Sequence, residues 1–244
     1  MQQLLILMYH QVYHPSKLEY LTLFESHLEY LTKNFNITTP GGPLDNNRLN
    51  VCLTFDDAYA DFYFCIYPLL KKYKCKAVLG IPTSFIQDET TLSPNTRLAV
   101  PYPEGLHTPQ KSPLCTWAEI KEMVASQYVI PASHSHTHAN LREINNAHEE
   151  LAHSQALLQE KLQRPVDIFI YPFGAMNTTV QQQAAALYKY CLRIGAALNR
   201  NWQHPTHLYY RIDADALWHH NHRITTFMLL KWTVKFYINY WRKK

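Results

Sequence analysis

Between residues 4 and 213 the chain alternates short apolar runs with stretches of helical periodicity, and this alternation limits its fold more than any other feature. Leu4–Tyr9 and residues 51–55, 76–81, 167–171 and 208–212 are compact apolar runs with the length of buried strands. Residues 36–39 predict a further short strand, ended by Pro40-Gly41-Gly42, and one more strand leads into His134. Between them, residues 17–34 put Leu18, Leu21, Leu28 and Leu31 at helical spacing. Residues 61–73 do the same with Phe62, Ile66, Leu69 and Leu70, and Trp117–Ala125, 140–162 and 178–190 read as further helices. No hairpin turn joins successive strands, so the expectation is an α/β fold of parallel strands with helical crossovers. The pattern leaves open whether the sheet closes. In a barrel or an open sheet alike, functional residues belong at the C-terminal ends of strands.

Composition narrows the function classes. With only 6 Gly in 244 residues and neither a G-x-G-x-x-G nor a P-loop pattern, the phosphate-cradling folds are excluded. A net charge of +4, with no basic cluster before the last few positions, points away from nucleic acid. The five Cys form no CxxC pair and lie in apolar stretches, as buried reduced thiols do. The apolar run Leu4 to Met8 is too short for a signal-peptide core, so a cytoplasmic location is expected. Residues 88–115 hold five Pro and read as one long irregular loop at the mouth of the fold.

Residues 224–244 read as a separate C-terminal helix, set apart from a domain of residues 1–223. Lys231, Lys235, Asn239 and Arg242 fall on one helical face, and Phe227, Leu230, Val234, Tyr237, Ile238 and Trp241 cover much of the rest. The competing expectations are a helix lying on a membrane surface, at the cytoplasmic face, and an ordinary outer helix packed on the domain.

Three places satisfy the strand-end criterion. Asp56 and Asp57 close the run Leu53-Thr54-Phe55, where adjacent carboxylates are costly unless a cation or shared proton compensates. Ser133-His134-Ser135-His136-Thr137-His138 puts three His in five residues, a local metal-binding signal. On a helical turn His134 and His138 would align; on extended chain all three would share a face. Two His and an Asp would leave coordination positions open, the form of a catalytic metal site. Tyr171-Pro172-Phe173-Gly174 again follows an apolar strand.

Taken together these motifs resemble the polysaccharide deacetylase family, the metal-dependent carbohydrate esterases sharing the NodB homology domain. Thr54-Phe55-Asp56-Asp57 with Ala58-Tyr59 is similar to its first motif, and His134-Ser135-His136-Thr137-His138 to its second. Tyr171 to Gly174 resembles the third, and Met8-Tyr9-His10-Gln11-Val12 the opening strand. The resemblance implies a distorted (β/α) barrel of about seven units. It implies that Asp57, His134 and His138 hold a divalent metal, usually Zn2+, that Asp56 is the general base, and that a backbone N–H near Phe173 serves the oxyanion. Tyr171, Pro172, Phe173 and Gly174 would line the substrate. Ile170 stands where the family often has an Arg that orients the base, and Arg211 is the candidate to supply that charge. A late Leu-x-His motif carrying the acid has no clean match; His219, His220 and His222 are the candidates, against a reading as polar connector. The implied activity is N-deacetylation of an N-acetylated sugar, either a polysaccharide or a lipid- or nucleotide-linked precursor. Deformylation, O-acetyl ester cleavage, or a degenerate barrel that only binds metal or glycan are the alternatives.

Overall fold

A computed structural model describes residues 2–102, 104–220 and 223–241. Its elements are β1 (Leu4–Tyr9), α1 (Glu19–Asn34), β2 (Asn36–Ile37), β3 (Asn50–Phe55), α2 (Tyr67–Lys72), β4 (Ala77–Ile81), α3 (Pro94–Leu98), α4 (Trp117–Ala125) and β5 (Val129–Ser133). The second half adds α5 (Ala147–Leu162), β6 (Ile168–Ile170), α6 (Thr178–Leu187), β7 (Tyr190–Ile194), β8 (Leu208–Asp213), α7 (Asp215–His219) and α8 (Thr226–Trp241). Among the described residues, seven parallel strands close in the order β1-β3-β4-β5-β6-β7-β8 and back to β1. β2 pairs only with the start of β3, on the edge that β4 takes over from Leu53 onward.

The barrel is distorted at one seam. β1 and β8 pair only at Leu7–Ile212 and Met8–Asp213. Below that, Asn199 fills the gap: its backbone exchanges two 2.9 Å hydrogen bonds with Leu4, and its side chain bonds both the N–H and the C=O of Tyr210. A buried side-chain amide thus stands in for a stretch of ladder.

Strand residues alternate between two environments, as the pleat requires. Leu4, Ile6, Cys52, Val78, Ala132 and Ile170 fill the barrel, while Leu5, Leu7, Val51, Leu53 and Leu79 pack outward under α1, α2 and α4. Continuing the inward parity to the strand ends puts Thr54 on β3, Asp56 just after it, His134 after β5 and Arg211 on β8 into the same space.

The structure corrects several expectations. Residues 190–194 form β7, because the helix expected to reach residue 190 ends at Leu187, where Tyr188 turns extended; an apolar run this short fits either state until tertiary pairing decides. The helix expected from residue 140 starts at Ala147; Asn140 instead folds a turn, accepting from the Arg142 amide and donating to Glu143. The helix expected over 61–73 opens with a π turn at Phe62–Ile66 before α2. The described residues of the 88–115 segment include α3 and two 3₁₀ turns, at Glu104–His107 and Pro109–Lys111. It is fixed by Arg97, which is 3% exposed, grips Glu119 through both terminal nitrogens and donates to the carbonyls of Ser112 and Leu114.

Finally, α8 packs on the barrel through Trp232 and Phe236, and Asn239, expected on the polar face, is buried with its Nδ2 donating to the Gly195 carbonyl at 2.9 Å. His222, Arg242, Lys243 and Lys244 lie outside the described residues.

Candidate metal centre and active site

The turn after β3 carries Asp56 and Asp57 in opposite roles. Asp56 continues the inward parity, and its amide donates to the Tyr9 carbonyl. Asp57 then takes a left-handed backbone at φ 68°, followed by Ala58 at φ 53°, a conformation that costs non-glycine residues energy and clusters at functional sites. What holds the turn is the 88–115 segment: Cys115 N–H donates to the Ala58 carbonyl, and Ala60 N–H to that of Pro113.

The His-rich segment is neither a helical turn nor extended. His134 N–H closes the ladder onto Ile81, and then Ser135 (φ 62°) and His138 (φ 55°) turn left-handed. Gly80 makes room for this, since a Cβ there would sit 3.1 Å from Ile170 and 3.5 Å from the His134 Cβ. As a result His134 and His138 face Asp57, their Nε2 atoms 3.5 and 3.2 Å from its Oδ1. His136 points elsewhere, bonding Thr83 and stacking on His153 at 4.1 Å.

The three donors lie within 4.8 Å of one another. His134 Nδ1 is 2.9 Å from the Ile170 carbonyl, an acceptor only, so the proton sits on Nδ1 and the Nε2 lone pair is turned to Asp57. Asp57 Oδ1 is buried with no hydrogen-bond partner. A nitrogen lone pair aimed at an unpartnered carboxylate oxygen is unfavourable unless a cation lies between them. The residues present therefore fit a divalent ion, and imidazole plus carboxylate is a donor set suited to zinc.

Asp56 is held by Arg211, with Nη1 on Oδ1 at 2.6 Å and Nη2 on Oδ2 at 2.8 Å; Nη1 also reaches Thr54 Oγ1. Arg211 has no exposed surface. Burial raises the Asp56 carboxyl, and neighbouring positive charge, the Arg211 guanidinium first, more than reverses it. The charge that Ile170 does not supply thus arrives from β8.

One residue in the site had no role assigned from sequence. His10 follows β1 and places Nε2 3.9 Å from Asp56 and Nδ1 3.8 Å from Asp215, with Tyr102 of the 88–115 segment tilted against its ring at 5.0 Å. Burial lowers its basicity, but Asp215 and the two site carboxylates raise it above the ordinary histidine value on balance. The signal was available: His10 ends an apolar strand, as Asp56 does. His219 packs instead on Trp218 and Tyr20. In the third motif only the Phe173 side chain is open, 66% exposed and edge-on to His138 at 4.7 Å. Tyr171 is fully buried, its hydroxyl donating to Gln181, and Pro172 and Gly174 are buried too, so these three shape the turn and offer no side chain to a ligand.

The sequence profile of the polysaccharide deacetylase family matches residues 45–190, which span the Asp-Asp, His-rich and Tyr-Pro-Phe-Gly segments. The chain belongs to the polysaccharide deacetylase family. Solved structures agree in fold. Deacetylase PplD from Streptococcus pyogenes, in complex with acetate, is 25% identical, with a TM-score of 0.65 over 86% of this chain and 92% of that one. A de-N-acetylase from Aggregatibacter actinomycetemcomitans is 20% identical, with a TM-score of 0.69 over 94% and 99%. BC0361, a polysaccharide deacetylase from Bacillus cereus, is 23% identical, with a TM-score of 0.68, covering 87% of this chain and 65% of that one. No curated protein matches the chain. Ile170 stands beside the site without a charge, and an arginine from a different strand, β8, reaches Asp56.

Proposed function

We propose that this polysaccharide deacetylase is a metal-dependent hydrolase that removes the N-acetyl group from an N-acetylated sugar. The observation that carries the reading is the Asp57–His134–His138 cluster with its unpartnered buried oxygen, set beside an Asp56 that Arg211 keeps ionised. Asp57, His134 and His138 would hold the ion, whose chemistry when bound is to lower the pKa of water to about 7 and to polarise a carbonyl.

The remaining work falls to the chain. Asp56, ionised and adjacent, accepts the proton of the attacking water. Arg211 fixes the carboxylate in one orientation through two parallel bonds. The amides of Gly174 and Ala175 are engaged inside their turn, leaving that of Phe173 for the oxyanion. His10, its basicity raised by Asp215, donates a proton to the leaving amine. Tyr102 and Phe173 offer two aromatic faces at the rim of the site.

The test is acetate and free amine released from N-acetylglucosamine oligomers by the purified protein, with bound metal measured alongside. Activity should disappear in Asp57→Ala and His134→Ala together with the metal. Undiminished turnover in either variant overturns the mechanism, and formate as the acid product from a formylated sugar would assign the site to deformylation.

A further inference from the structure

The side of α8 that faces away from the barrel is apolar. Trp232, Phe236 and Asn239 are buried, whereas Phe227, Leu230, Val234, Ile238 and Trp241 stay exposed, Phe227 by 76% and Trp241 by 84%. At 100° per residue these five fall within one arc of about 80°, and Tyr237 borders it. Lys231 and Lys235, both exposed, line the opposite border of that arc. The charge is one-signed: after Asp215 the sequence contains six Lys and Arg and no acidic residue, although the whole chain carries only +4. The described residues contain no helix long and apolar enough to cross a membrane.

An exposed aromatic and aliphatic stripe beside a lysine stripe, free of acidic residues, is complementary to a surface that is apolar below and anionic above. We propose that α8 docks this deacetylase on an anionic lipid surface, its apolar arc in the headgroup boundary and Lys231 and Lys235 at the phosphates. The inference does not depend on the chemistry at the barrel mouth.

Deleting the helix would not test this cleanly, because Trp232 and Phe236 belong to the core clusters. Point variants of the outward face leave those contacts in place. Full-length protein should co-sediment with phosphatidylglycerol/phosphatidylcholine vesicles, less at high salt, and far less with phosphatidylcholine alone. Lys231→Gln with Lys235→Gln should weaken binding by about 25-fold, and Phe227→Ser with Leu230→Ser by about 100-fold, with the thermal melting curve unchanged. Equal binding to both vesicle types, or by all variants, overturns the proposal. So does a homodimer in light scattering that the Phe227/Leu230 variant dissolves while vesicle binding persists.

Discussion

Asp56 and Asp57 are neighbours in the chain held by opposite kinds of partner. Asp56 meets a fixed guanidinium, and Asp57 meets two imidazoles whose Nε2 atoms lie 3.5 and 3.2 Å from its Oδ1. Substitutions should therefore separate them. Asp56→Asn is expected to keep the metal and lose about 10²–10⁴-fold in kcat, checked by metal content against turnover; loss of both together would merge the two roles. Arg211→Met would strand a buried carboxylate and should cost about 3–5 kcal/mol of stability in a denaturant titration. His10 carries a pH signature. Its folded pKa lies above 6.5, held there chiefly by Asp215. Asp215→Asn should let it deprotonate at lower pH, so activity that needs protonated His10 falls off earlier as pH rises. An unmoved alkaline limb in kcat/KM would remove His10 from the mechanism.

At the scale of elements, helix packing sets a different titration. α1 buries His27 against β1, where its Nε2 meets the Tyr9 hydroxyl at 2.8 Å, and burial pushes the imidazole down to about 4. The unfolded chain takes up that proton near 6.5 and the folded chain only near 4, so stability falls as pH drops through this window, by up to about 3 kcal/mol. His27→Gln should flatten that part of the pH dependence; urea unfolding at pH 7 and 4.5 measures it. The 88–115 segment shows what proline content alone cannot convey. Five prolines predict irregular chain, yet one arginine bonding Glu119, Ser112 and Leu114 ties part of the segment into a packed wall. That wall props up the left-handed Asp57–Ala58 turn and brings Tyr102 to His10.

Over the whole molecule, the candidate centre links the ends of β3 and β5 across the barrel mouth, so a bound ion should stabilise the fold. Saturation at 100 times Kd is worth about 2.7 kcal/mol, which for a chain of this length corresponds to about 5–10 °C in Tm. Chelation should lower the melting temperature by that amount and re-addition restore it, while Asp57→Ala should show no metal-dependent shift. The β1–β8 seam, bridged by Asn199 instead of a full ladder, is the place where the ring is held least by strand pairing.

Local sequence determined the parallel α/β class, most of the strands, and the residues Asp56, Asp57, His134 and His138, because strand burial and the chemistry of donor residues are written in runs of a few positions. The third motif and the C-terminal helix were visible as segments but not as orientations. Whether Tyr171 faces a ligand or the core, and which side of α8 turns outward, depends on packing partners outside each segment, such as Gln181 for Tyr171 and Gly195 for Asn239. The pairing of Arg211 with Asp56 spans 155 positions, and His10 meets Asp215 across a still longer stretch. Barrel closure brings β1, β3 and β8 side by side, and only that closure decided which arginine faces Asp56 and which histidine stands beside it.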